Sequence, residues 1–562
     1  MKKATKHKPT GKVNKRTTYL RELSGSSSLH EMAVPWLPEI ARSQEDISIK
    51  SPSKYAEELG NDFASFKGRT KTATFGQYFT PRTIAEFIGR NFSEIKLTGP
   101  MRILDPGAGS GILSCALCEC IANWKYKPAD IELVAYEIDV SLITVLEKSF
   151  TYLKHWLSQK NILLSFSISD KDFVLENADI LNKNIQQSLF GEKKFNRFDL
   201  IIANPPYFKI PGSDQRAKAA SAVIHGQPNI YALFMAVSAA LLKEKGQLGF
   251  ITPRSYAAGL YFKKFRQNFF NQITPVSIHV FNSRDKAFSK DNVLQENIIL
   301  HGKKDSRIDK GEHKVRVSGC EGLSDIENAT RIEIPLTEVI NCEQDYVLHV
   351  PIEVTQREVV RIVKSWKQNL GSLGLDVSTG PIVPFRARGV LTQINDEQNA
   401  PVLWLHNIRA MNVSWPIESR KPQYIKVTER AKKLLVPNAN YVLVRRFSAK
   451  EEKKRIVAAP LTSRILKSKF VGIENHVNFI YRKGGELSET EAFGLAAILN
   501  SSLLDTYFRI FNGNTQVSAT ELRSLPLPSS HVIEKVGSWI KSSKFDYREY
   551  DEKVVNLIKK YA

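Results

Sequence analysis

The residues best suited to chemistry are an acid, a glycine-rich turn and a second acid, at the spacing of one βαβ unit. Asp105 ends a short apolar run, and Gly107, Gly109 and Gly111 follow it at alternate positions. Glycines allow positive φ and let backbone N–H groups approach a ligand closely. Asp105 places a carboxylate where a cationic amine could bind. Glu137 lies 32 residues later at the end of a second run, where an acid can bind ribose hydroxyls; a helix N-cap or a solvated loop acid is the alternative.

A second motif, Asn204-Pro205-Pro206-Tyr207, directly follows the apolar run from 198 to 203. The carboxyl ends of strands are where α/β sheets place their ligands. The two prolines fix φ and hold the neighbouring carbonyl groups in place. The Asn204 side-chain oxygen and the Pro205 carbonyl are two acceptors, which suits an NH2 group, and Tyr207 offers a ring face for stacking. The alternative is that the two prolines only end the strand.

The elements that must position these motifs are short β-like runs, which alternate with amphipathic helical stretches from about residue 75 to 302. This alternation predicts an α/β fold of the Rossmann-like type, with a parallel sheet covered by helices on both faces. The predicted strands are Arg102–Leu104, Ile131–Tyr136, Phe198–Ala203, Gly246–Thr252 and Val276–Phe281. The predicted helices are Pro81–Asn91, Gly111–Asn123, Val140–Ser158 and Ile230–Leu242.

Changes in composition divide the chain into five parts. Residues 1–25 form a basic tail that is predicted to be disordered. Residues 26–305 combine an N-terminal extension with the α/β part, and 306–330 are a polar, Gly-punctuated linker region. The pattern over residues 331–530 predicts a mixed α+β domain. Residues 531–562 show a helical periodicity, which predicts one or two terminal helices.

The charge is concentrated in two places. The chain has 80 basic and 58 acidic residues, a net charge of +22. Residues 1–21 hold eight Lys and Arg and no acid, and residues 401–470 hold 16 basic residues against 4 acidic ones. Aromatic residues and strand-like runs interrupt the second stretch, which predicts a folded basic surface that includes Arg445 and Arg446. Nucleic acid is the favoured partner, ahead of a membrane surface, with a solubilising tail and a solvated face as the alternatives.

Several classes of protein do not fit this composition. The longest apolar stretch, Ala232 to Leu242, is too short to span a bilayer, and no apolar run follows the basic N-terminus as in a signal peptide. Five cysteines make no disulfide framework, so a reducing cytoplasm is expected. Cys115, Cys118 and Cys120 lie on a predicted helix as small packing residues, so no metal is expected.

With these motifs in this order, residues 75–302 resemble the γ class of S-adenosylmethionine-dependent N6-adenine DNA methyltransferases. The resemblance implies that S-adenosylmethionine is the cofactor. Phe75-Gly-Gln-Tyr-Phe-Thr-Pro81 resembles the segment that contacts its methionine end, and Asp179 resembles the acid at the third strand that binds its adenine. The implied cofactor-binding residues are Tyr78, Thr80, Pro81, Asp105, Gly107, Gly109, Gly111, Glu137, Ile138, Asp179 and Ile180.

The same resemblance implies transfer of a methyl group to the exocyclic amine of an adenine flipped out of the duplex. The segment around Phe288 resembles the motif whose aromatic ring stacks on the flipped base, and Phe281 is the alternative for that role. The implied catalytic residues are Asn204, Pro205, Pro206, Tyr207 and Phe288.

The C-terminal half is similar to the specificity half of type II modification methylases, in the segments Asn475–Tyr481 and Phe511–Pro526. The PstI/BsuBI group is the one that these segments resemble, which implies a CTGCAG-like site. Double-stranded DNA is then the partner, a cognate restriction endonuclease acts alongside, and we expect a monomer in a bacterial or archaeal cytoplasm. The DNA-binding candidates are Arg445, Arg446, Asn514, Thr515 and Gln516.

Other functions share parts of this pattern. An rRNA adenine or guanine methyltransferase uses the same chemistry, and a protein-glutamine N5-methyltransferase presents the same NH2 group to Asn-Pro-Pro-Tyr. A DNA-binding protein with an inactive methylase core is the non-enzyme alternative. Cytosine C5 methylation fits poorly, because it needs a cysteine nucleophile, usually after proline, and no cysteine here follows a proline.

Overall fold

The computed structural model describes residues 50–67, 79–182, 196–224, 226–282, 296–341, 345–448, 452–512, 516–542 and 547–561. Contacts divide the chain into Met1–Lys50 and Ser51–Ala562, and the architecture below is that of the second unit.

A nine-stranded sheet forms the first half of this unit. Its strands are β1 (Met101–Pro106), β2 (Asp130–Tyr136), β3 (Leu163–Ser169), β4 (Phe198–Ala203), β5 (Leu242–Pro253), β6 (Thr274–Phe281), β7 (Asn297–Lys303), β8 (Lys314–Cys320) and β9 (Thr330–Pro335). Their order is β3-β2-β1-β4-β5-β7-β6-β8-β9. The five strands from β3 to β5 are parallel, and β7 runs antiparallel between β5 and β6.

Helices cover both faces of the sheet, because its central strands bury apolar side chains on both sides. All six residues of β4 are buried; Ile201 packs into one hydrophobic cluster and Ile202 into the other. Near-continuous apolar strands of this kind are typical of parallel sheets. The helices of this half are α1 (Pro52–Lys67), α2 (Arg82–Gly89), α3 (Ile112–Ala122), α4 (Val140–Ser158), α5 (Phe173–Asn177), α6 (Gln215–Ala219), α7 (Ile230–Leu241), α8 (Lys263–Gln272) and α9 (Leu336–Val339).

The second half is built on two smaller sheets. Its strands are β10 (Ile340–Asn341), β11 (Val347–Leu348), β12 (Leu375–Thr379), β13 (Leu391–Thr392), β14 (Asn399–Leu403), β15 (Ile408–Arg409), β16 (Asn412–Val413), β17 (Tyr424–Lys426), β18 (Leu435–Pro437), β19 (Tyr441–Arg445), β20 (Ala458–Leu461), β21 (Phe470–Ile473) and β22 (Val477–Arg482). One sheet has the order β12-β22-β19-β20 and the other β13-β17-β14-β21-β18, while β10-β11 and β15-β16 form separate pairs.

The helices of this half contribute to two hydrophobic clusters: Pro384–Ala387 and Glu429–Lys432 pack with the five-stranded sheet, and the others pack with the four-stranded sheet in a cluster that extends to the last helix. They are α10 (Val354–Ser365), α11 (Pro384–Ala387), α12 (Glu429–Lys432), α13 (Glu489–Leu499), α14 (Ser502–Phe511), α15 (Ala519–Ser524), α16 (Ser530–Ser542) and α17 (Tyr547–Tyr561). The last two correspond to the predicted terminal helices.

The structure confirms the predicted fold class and every predicted strand and helix, with ends that differ by a few residues. It adds β3 and gives the bounds of the strands after β6, for which the sequence had indicated only strand-like runs and a mixed α+β domain. The region 306–330, predicted as a linker, contains β8, which pairs with β6 and extends the sheet. The division of the chain into functional domains stays a prediction.

Candidate active site

The candidate site lies at the carboxyl edge of the parallel strands. β1 lies between β2 and β4, with Asp105 opposite Ala135 and Leu104 opposite Ile201. Because all three strands run in the same direction, the segments that follow them leave the sheet at the same edge. The glycine turn, Glu137 and Asn204 are therefore brought together, as predicted from their places after three strands.

The turn after β1 needs glycine for its backbone conformation and for close packing. Gly107, Gly109 and Gly111 all have positive φ, which side chains rarely allow. A Cβ at Gly111 would lie 2.8 Å from carbon atoms of Leu146 and Phe150, so glycine lets α3 begin against α4. A Cβ at Gly107 would lie 4.0 Å from Cδ of Pro206, which shows that the turn and the Asn-Pro-Pro-Tyr motif are neighbours.

Glu137, at the end of β2, is hydrogen-bonded to this turn. Its side chain is 5% exposed, its Oε2 accepts the N–H of Gly109 at 2.9 Å and its Oε1 accepts the N–H of Asp139 at 2.9 Å. The N-cap of α4 is Asp139, so the alternative role of Glu137 as a helix cap is excluded. The next residue, Ile138, leaves 56% of its surface exposed and offers an apolar contact at the same edge.

Asp105 is a buried acid with one oxygen in use. Oδ2 accepts the hydroxyl of Ser114 at 2.6 Å, and buried Oδ1 has no hydrogen-bond partner. Burial raises the pKa of Asp105 to about 7; the Ser114 hydrogen bond opposes this rise and nearby Glu137 adds to it. A buried acid with a free oxygen suits a cationic ligand, because the ligand would supply the missing partner and stabilise the ionised form.

The Asn204 side chain is held at both ends. Its Nδ2 donates to Oγ1 of Thr80 at 3.0 Å, and its Oδ1 accepts the hydroxyl of Tyr207 at 2.6 Å. The Tyr207 hydroxyl also lies 3.2 Å from the carbonyl oxygen of Ile251 in β5. The amide is therefore fixed relative to both the segment before α2 and the central sheet.

The contact that the structure gives Tyr207 differs from the predicted one. The side chain is 9% exposed, and its ring packs edge-on against Tyr231 with centroids 6.4 Å apart. The predicted stacking of Tyr207 on a base stays a prediction. The hydroxyl, which the sequence argument did not use, makes the contact with Asn204.

The remaining predicted site residues are placed as follows. Asp179 is exposed on a 3₁₀ turn that starts with Ala178, beyond the end of β3, and Ile180 beside it is buried. Pro205 is buried and Pro206 half-buried, and Pro81 is the N-cap of α2. Phe281, the alternative for base stacking, is fully buried in β6 against His279. Outside the described residues lie Tyr78, Phe288, Asn514 and Thr515.

Sequence reasoning missed the contribution of α1. Gly60 of this helix comes so close that a Cβ there would lie 3.2 Å from the side chain of Ser110 in the glycine turn. Phe63, one turn later, packs edge-on against Phe79, with ring centroids 6.3 Å apart. The signal was present, because Ala56, Leu59, Gly60 and Phe63 follow the spacing of a helix face.

The predicted basic candidates lie at the end of β19. Arg445 is 3.6 Å from Glu452, and the guanidinium of Arg446 donates to the carbonyl oxygen of Asn475 at 3.1 Å. Gln516 pairs through its backbone with Phe447, so the structure brings Gln516 next to the two arginines.

Within the described residues, no group of three or more His, Cys, Asp and Glu side chains could hold a metal ion. No helix there is long and apolar enough to cross a membrane.

Comparison with known proteins agrees with this geometry. Residues 129–288 match the model of the Eco57I restriction-modification methylase family. The chain is 34% identical over 470 residues to Type II methyltransferase M.BsuBI of Bacillus subtilis, with 83% of this chain and 90% of the relative covered. It is 33% identical over 495 residues to Type II methyltransferase M.PstI of Providencia stuartii, with 86% and 92% covered.

The chain belongs to this family of Type II methyltransferases. The predicted resemblance to the PstI/BsuBI group is thereby confirmed, and so is S-adenosylmethionine as the cofactor. The free Oδ1 of Asp105 and the positive-φ glycines fit such a cofactor, which carries both a cationic amine and a nucleoside. Among solved structures, the methyltransferase resembles the Type IIL restriction-modification enzyme MmeI, with 12% identity, a TM-score of 0.49 and coverage of 90% of this chain and 72% of that chain.

Asp105 makes the stability of the ligand-free methyltransferase depend on pH. Its pKa of about 7 exceeds the ordinary value of 3.8, so the fold favours the protonated acid. This contribution to stability is full below about pH 4 and is lost as the pH rises through 7, by up to about 4 kcal/mol. We expect Asp105→Asn to remove this loss and to raise the thermal midpoint at pH 8 relative to the unsubstituted chain.

The measurement is the thermal midpoint of both proteins from pH 5 to 8.5, with Asp62→Asn on the exposed face of α1 as the matched control. The difference between each variant and the parent isolates the substituted acid. An Asp105→Asn curve parallel to the parent curve would contradict the assignment.

Proposed function

We propose that the chain is a DNA adenine-N6 methyltransferase, which transfers a methyl group from S-adenosylmethionine to the exocyclic amine of a flipped adenine. The observation that carries the proposal is the Asn204 amide, held between Thr80 and Tyr207 beside the rigid Pro205 carbonyl. This pair of acceptors lies at the same sheet edge as Asp105 and the glycine turn. Two acceptors recognise an NH2 group, and their position beside the cofactor site explains why that group receives the methyl.

The residues after β1 and β2 would hold the cofactor. When bound, S-adenosylmethionine supplies an electrophilic methyl group on a sulfonium. Asp105 offers its free oxygen to the cationic amine, and the backbone of the glycine turn allows close approach. Glu137 keeps the turn in place through Gly109 and would supply the acid for the ribose, and the exposed Ile138 would offer the cofactor an apolar contact. Four further residues would approach the cofactor: Thr80 and Pro81, which precede α2, and Asp179 and Ile180, which follow β3.

Asn204 and Pro205 would then activate the target. The lone pair of an adenine amine is delocalised into the ring, which makes the amine a poor nucleophile. When the Asn204 oxygen and the Pro205 carbonyl each accept a hydrogen bond from one amino N–H, the nitrogen moves toward sp3 geometry and its lone pair is localised. After the nitrogen has received the methyl group, it releases one proton to water and becomes neutral again. The hydrogen bond from Tyr207 fixes the position of the Asn204 oxygen. Catalysis in this scheme is orientation and electrostatics, without a covalent intermediate.

The adenine cannot be reached inside a duplex, so it must be flipped out, at a cost of a few kcal/mol. Stacking of the flipped base on an aromatic ring is worth about 1–3 kcal/mol and would offset part of this cost. We assign this stacking to Phe288. Phe281 is less suited, because it is fully buried in β6.

DNA would be bound by the second half of the chain. Residues 401–470 carry a charge of +12, and phosphate contacts supply affinity that is independent of sequence. Arg445, Arg446 and Gln516 are the described candidates, and Asn514 and Thr515 extend the same segment. Because the relatives are named Type II methyltransferases, we propose that the enzyme protects DNA alongside a cognate endonuclease and that its site is CTGCAG-like.

The rival substrates are less well supported. A protein-glutamine methyltransferase has no need of the basic second half, which extends over 200 residues. An RNA methyltransferase shares the chemistry, and the direct assay below separates RNA from DNA.

Asn204→Ala tests the proposed chemistry. The purified full-length chain is incubated with labelled S-adenosylmethionine and either duplex DNA or RNA, and the modified nucleoside is identified after digestion. We expect N6-methyladenine in DNA from the unsubstituted chain, and a loss of at least about 1,000-fold in the variant with cofactor affinity near normal. Retained turnover in Asn204→Ala would contradict the mechanism, and label found in RNA or on another base would contradict the substrate.

Tyr207→Phe tests the role of the hydroxyl. The variant keeps the buried ring and removes the hydrogen bond to Asn204, so we expect kcat to fall about 10-fold while cofactor binding is unchanged. Tyr231→Phe is the matched control, because it removes a neighbouring buried hydroxyl that bonds Ser255 instead. Equal rates for Tyr207→Phe and the parent would show that Asn204 does not need this contact.

Charge reversal of Arg445 and Arg446 to Glu tests the basic surface. Each lost phosphate contact should lower the slope of log affinity against log salt by about 1 and weaken binding to all sequences alike. Lys127→Glu, an exposed change in the first half, is the control. DNA affinity is measured by fluorescence anisotropy at several salt concentrations, and an unchanged slope would mean that a different surface binds the backbone.

A further inference from the structure

An exposed phenylalanine lies in a short helix of the second half, between two buried residues. Phe385 belongs to α11 and leaves 66% of its surface exposed. Ile382 before it and Ala387 after it are both buried in the hydrophobic cluster of the five-stranded sheet. A single exposed apolar side chain is common on protein surfaces, so exposure alone indicates no function. What distinguishes Phe385 is the backbone that carries it and the charge around it.

The backbone under Phe385 is fixed. Pro384 begins α11, and its ring restricts φ at that position. The carbonyl oxygen of Val383 accepts the N–H of Arg386 at 2.9 Å, which closes the turn around the phenylalanine. The ring therefore projects from a preorganised segment, and little backbone freedom is lost when it packs against a ligand.

Two arginines follow the ring, and no acid is near them in the sequence. Arg386 and Arg388 are exposed, and residues 377–395 contain no Asp or Glu. The guanidinium carbon of Arg386 lies over the Phe385 ring, 5.3 Å from its centroid. In the part of the chain that the structure describes, neither guanidinium makes a hydrogen bond or an ion pair. Two such cations beside an exposed aromatic ring favour a polyanionic ligand with flat apolar faces, as nucleic acid has.

Hydrogen bonds connect this segment to the basic surface at the end of β19. The carbonyl oxygen of Ile382 accepts the N–H of Asn475 at 2.9 Å. The carbonyl oxygen of Asn475 in turn accepts the guanidinium of Arg446 at 3.1 Å. The segment that carries Phe385 is thus a neighbour of the surface that we assign to DNA.

We propose that Phe385 is a wedge that inserts its ring between neighbouring base pairs of the bound DNA, while Arg386 and Arg388 bind phosphates beside it. The inference rests on the proposed function and adds an aromatic contact that is separate from the one to the flipped base. An apolar side chain that enters the base stack unstacks one step and kinks the duplex, by about 20–90°. A fixed backbone suits this role, because the ring must displace stacked bases without giving way.

The kink is measured by fluorescence energy transfer between dyes at the two ends of a short duplex that the unsubstituted chain methylates. The full-length protein is added at a saturating concentration. We expect the transfer efficiency to rise with the unsubstituted chain and with Phe385→Trp, which keeps a flat ring. With Phe385→Ala we expect most of this rise to be lost. Because Phe385 is exposed, the thermal midpoint and the cofactor affinity of Phe385→Ala should equal those of the parent.

Tyr126→Ala is the matched control for this measurement. Tyr126 is 48% exposed, and the ammonium groups of Lys96 and Lys125 lie over its ring at 4.4 and 5.3 Å from the centroid. It precedes β2 and therefore lies at the edge of the large sheet opposite to the candidate site. An effect of Phe385→Ala that Tyr126→Ala does not share belongs to the place of the ring in the fold.

Binding affinity separates the ring from the arginines. Phe385→Ala should weaken duplex binding by about 5- to 150-fold, the range for loss of one aromatic stacking contact. The slope of log affinity against log salt should not change, because the ring is uncharged. The double variant Arg386→Gln with Arg388→Gln should lower that slope by about 2, because two phosphate contacts are lost.

Two results would overturn the inference alone: a full kink with Phe385→Ala, or DNA affinity of this variant equal to that of the parent. Either would leave a protein as the partner of this surface. A parent that methylates DNA without kinking it would also overturn the inference and leave the proposed function intact. If the unsubstituted chain methylates no duplex, the proposed function itself fails and the inference fails with it.

Discussion

The parallel pairing of β1 between β2 and β4 is the constraint on which the candidate site depends. It brings three segments that are far apart in sequence to one edge, so that the glycine turn, Glu137 and Asn204 become neighbours. The opposite end of these strands is held by Asp199, whose carboxylate accepts the N–H of Arg102 and pairs with Lys243, both at 2.9 Å. A slip in this register would separate the Asn204 amide from the glycine turn and Glu137.

Two acids are buried at functionally interesting places in the described part of the chain. Asp105 lies beside the glycine turn with one oxygen unused, and Glu474 lies under His476 at the junction of the two smaller sheets. Each costs stability when the chain stands alone, because charge is removed from water. Glu137 shows the contrast: both of its oxygens accept backbone N–H groups, so its charge also stabilises the local fold.

The two halves meet close to the end of β5. Arg254, which follows β5 and is almost fully buried, donates to the carbonyl of Ile510 in α14 and lies 3.6 Å from Glu296. Burial lowers its pKa, and Glu296 opposes that change. His349 bonds the hydroxyl of Tyr507 in the same region. The half that carries the basic surface is thus attached next to the edge where the target base would enter.

The sequence by itself determined the apolar strands that alternate with helices and the glycines that need positive φ. It also determined that Asp105, Glu137 and Asn204 lie directly after strands. These features are local, because strand alternation and turn chemistry depend on neighbours in the chain. Only the tertiary structure decided that the Tyr207 hydroxyl holds Asn204, that Thr80 reaches the same amide, and that α1 covers the glycine turn. Those contacts join residues that are far apart in the chain. They form only when separate elements pack against each other, so the local sequence pattern does not predict them.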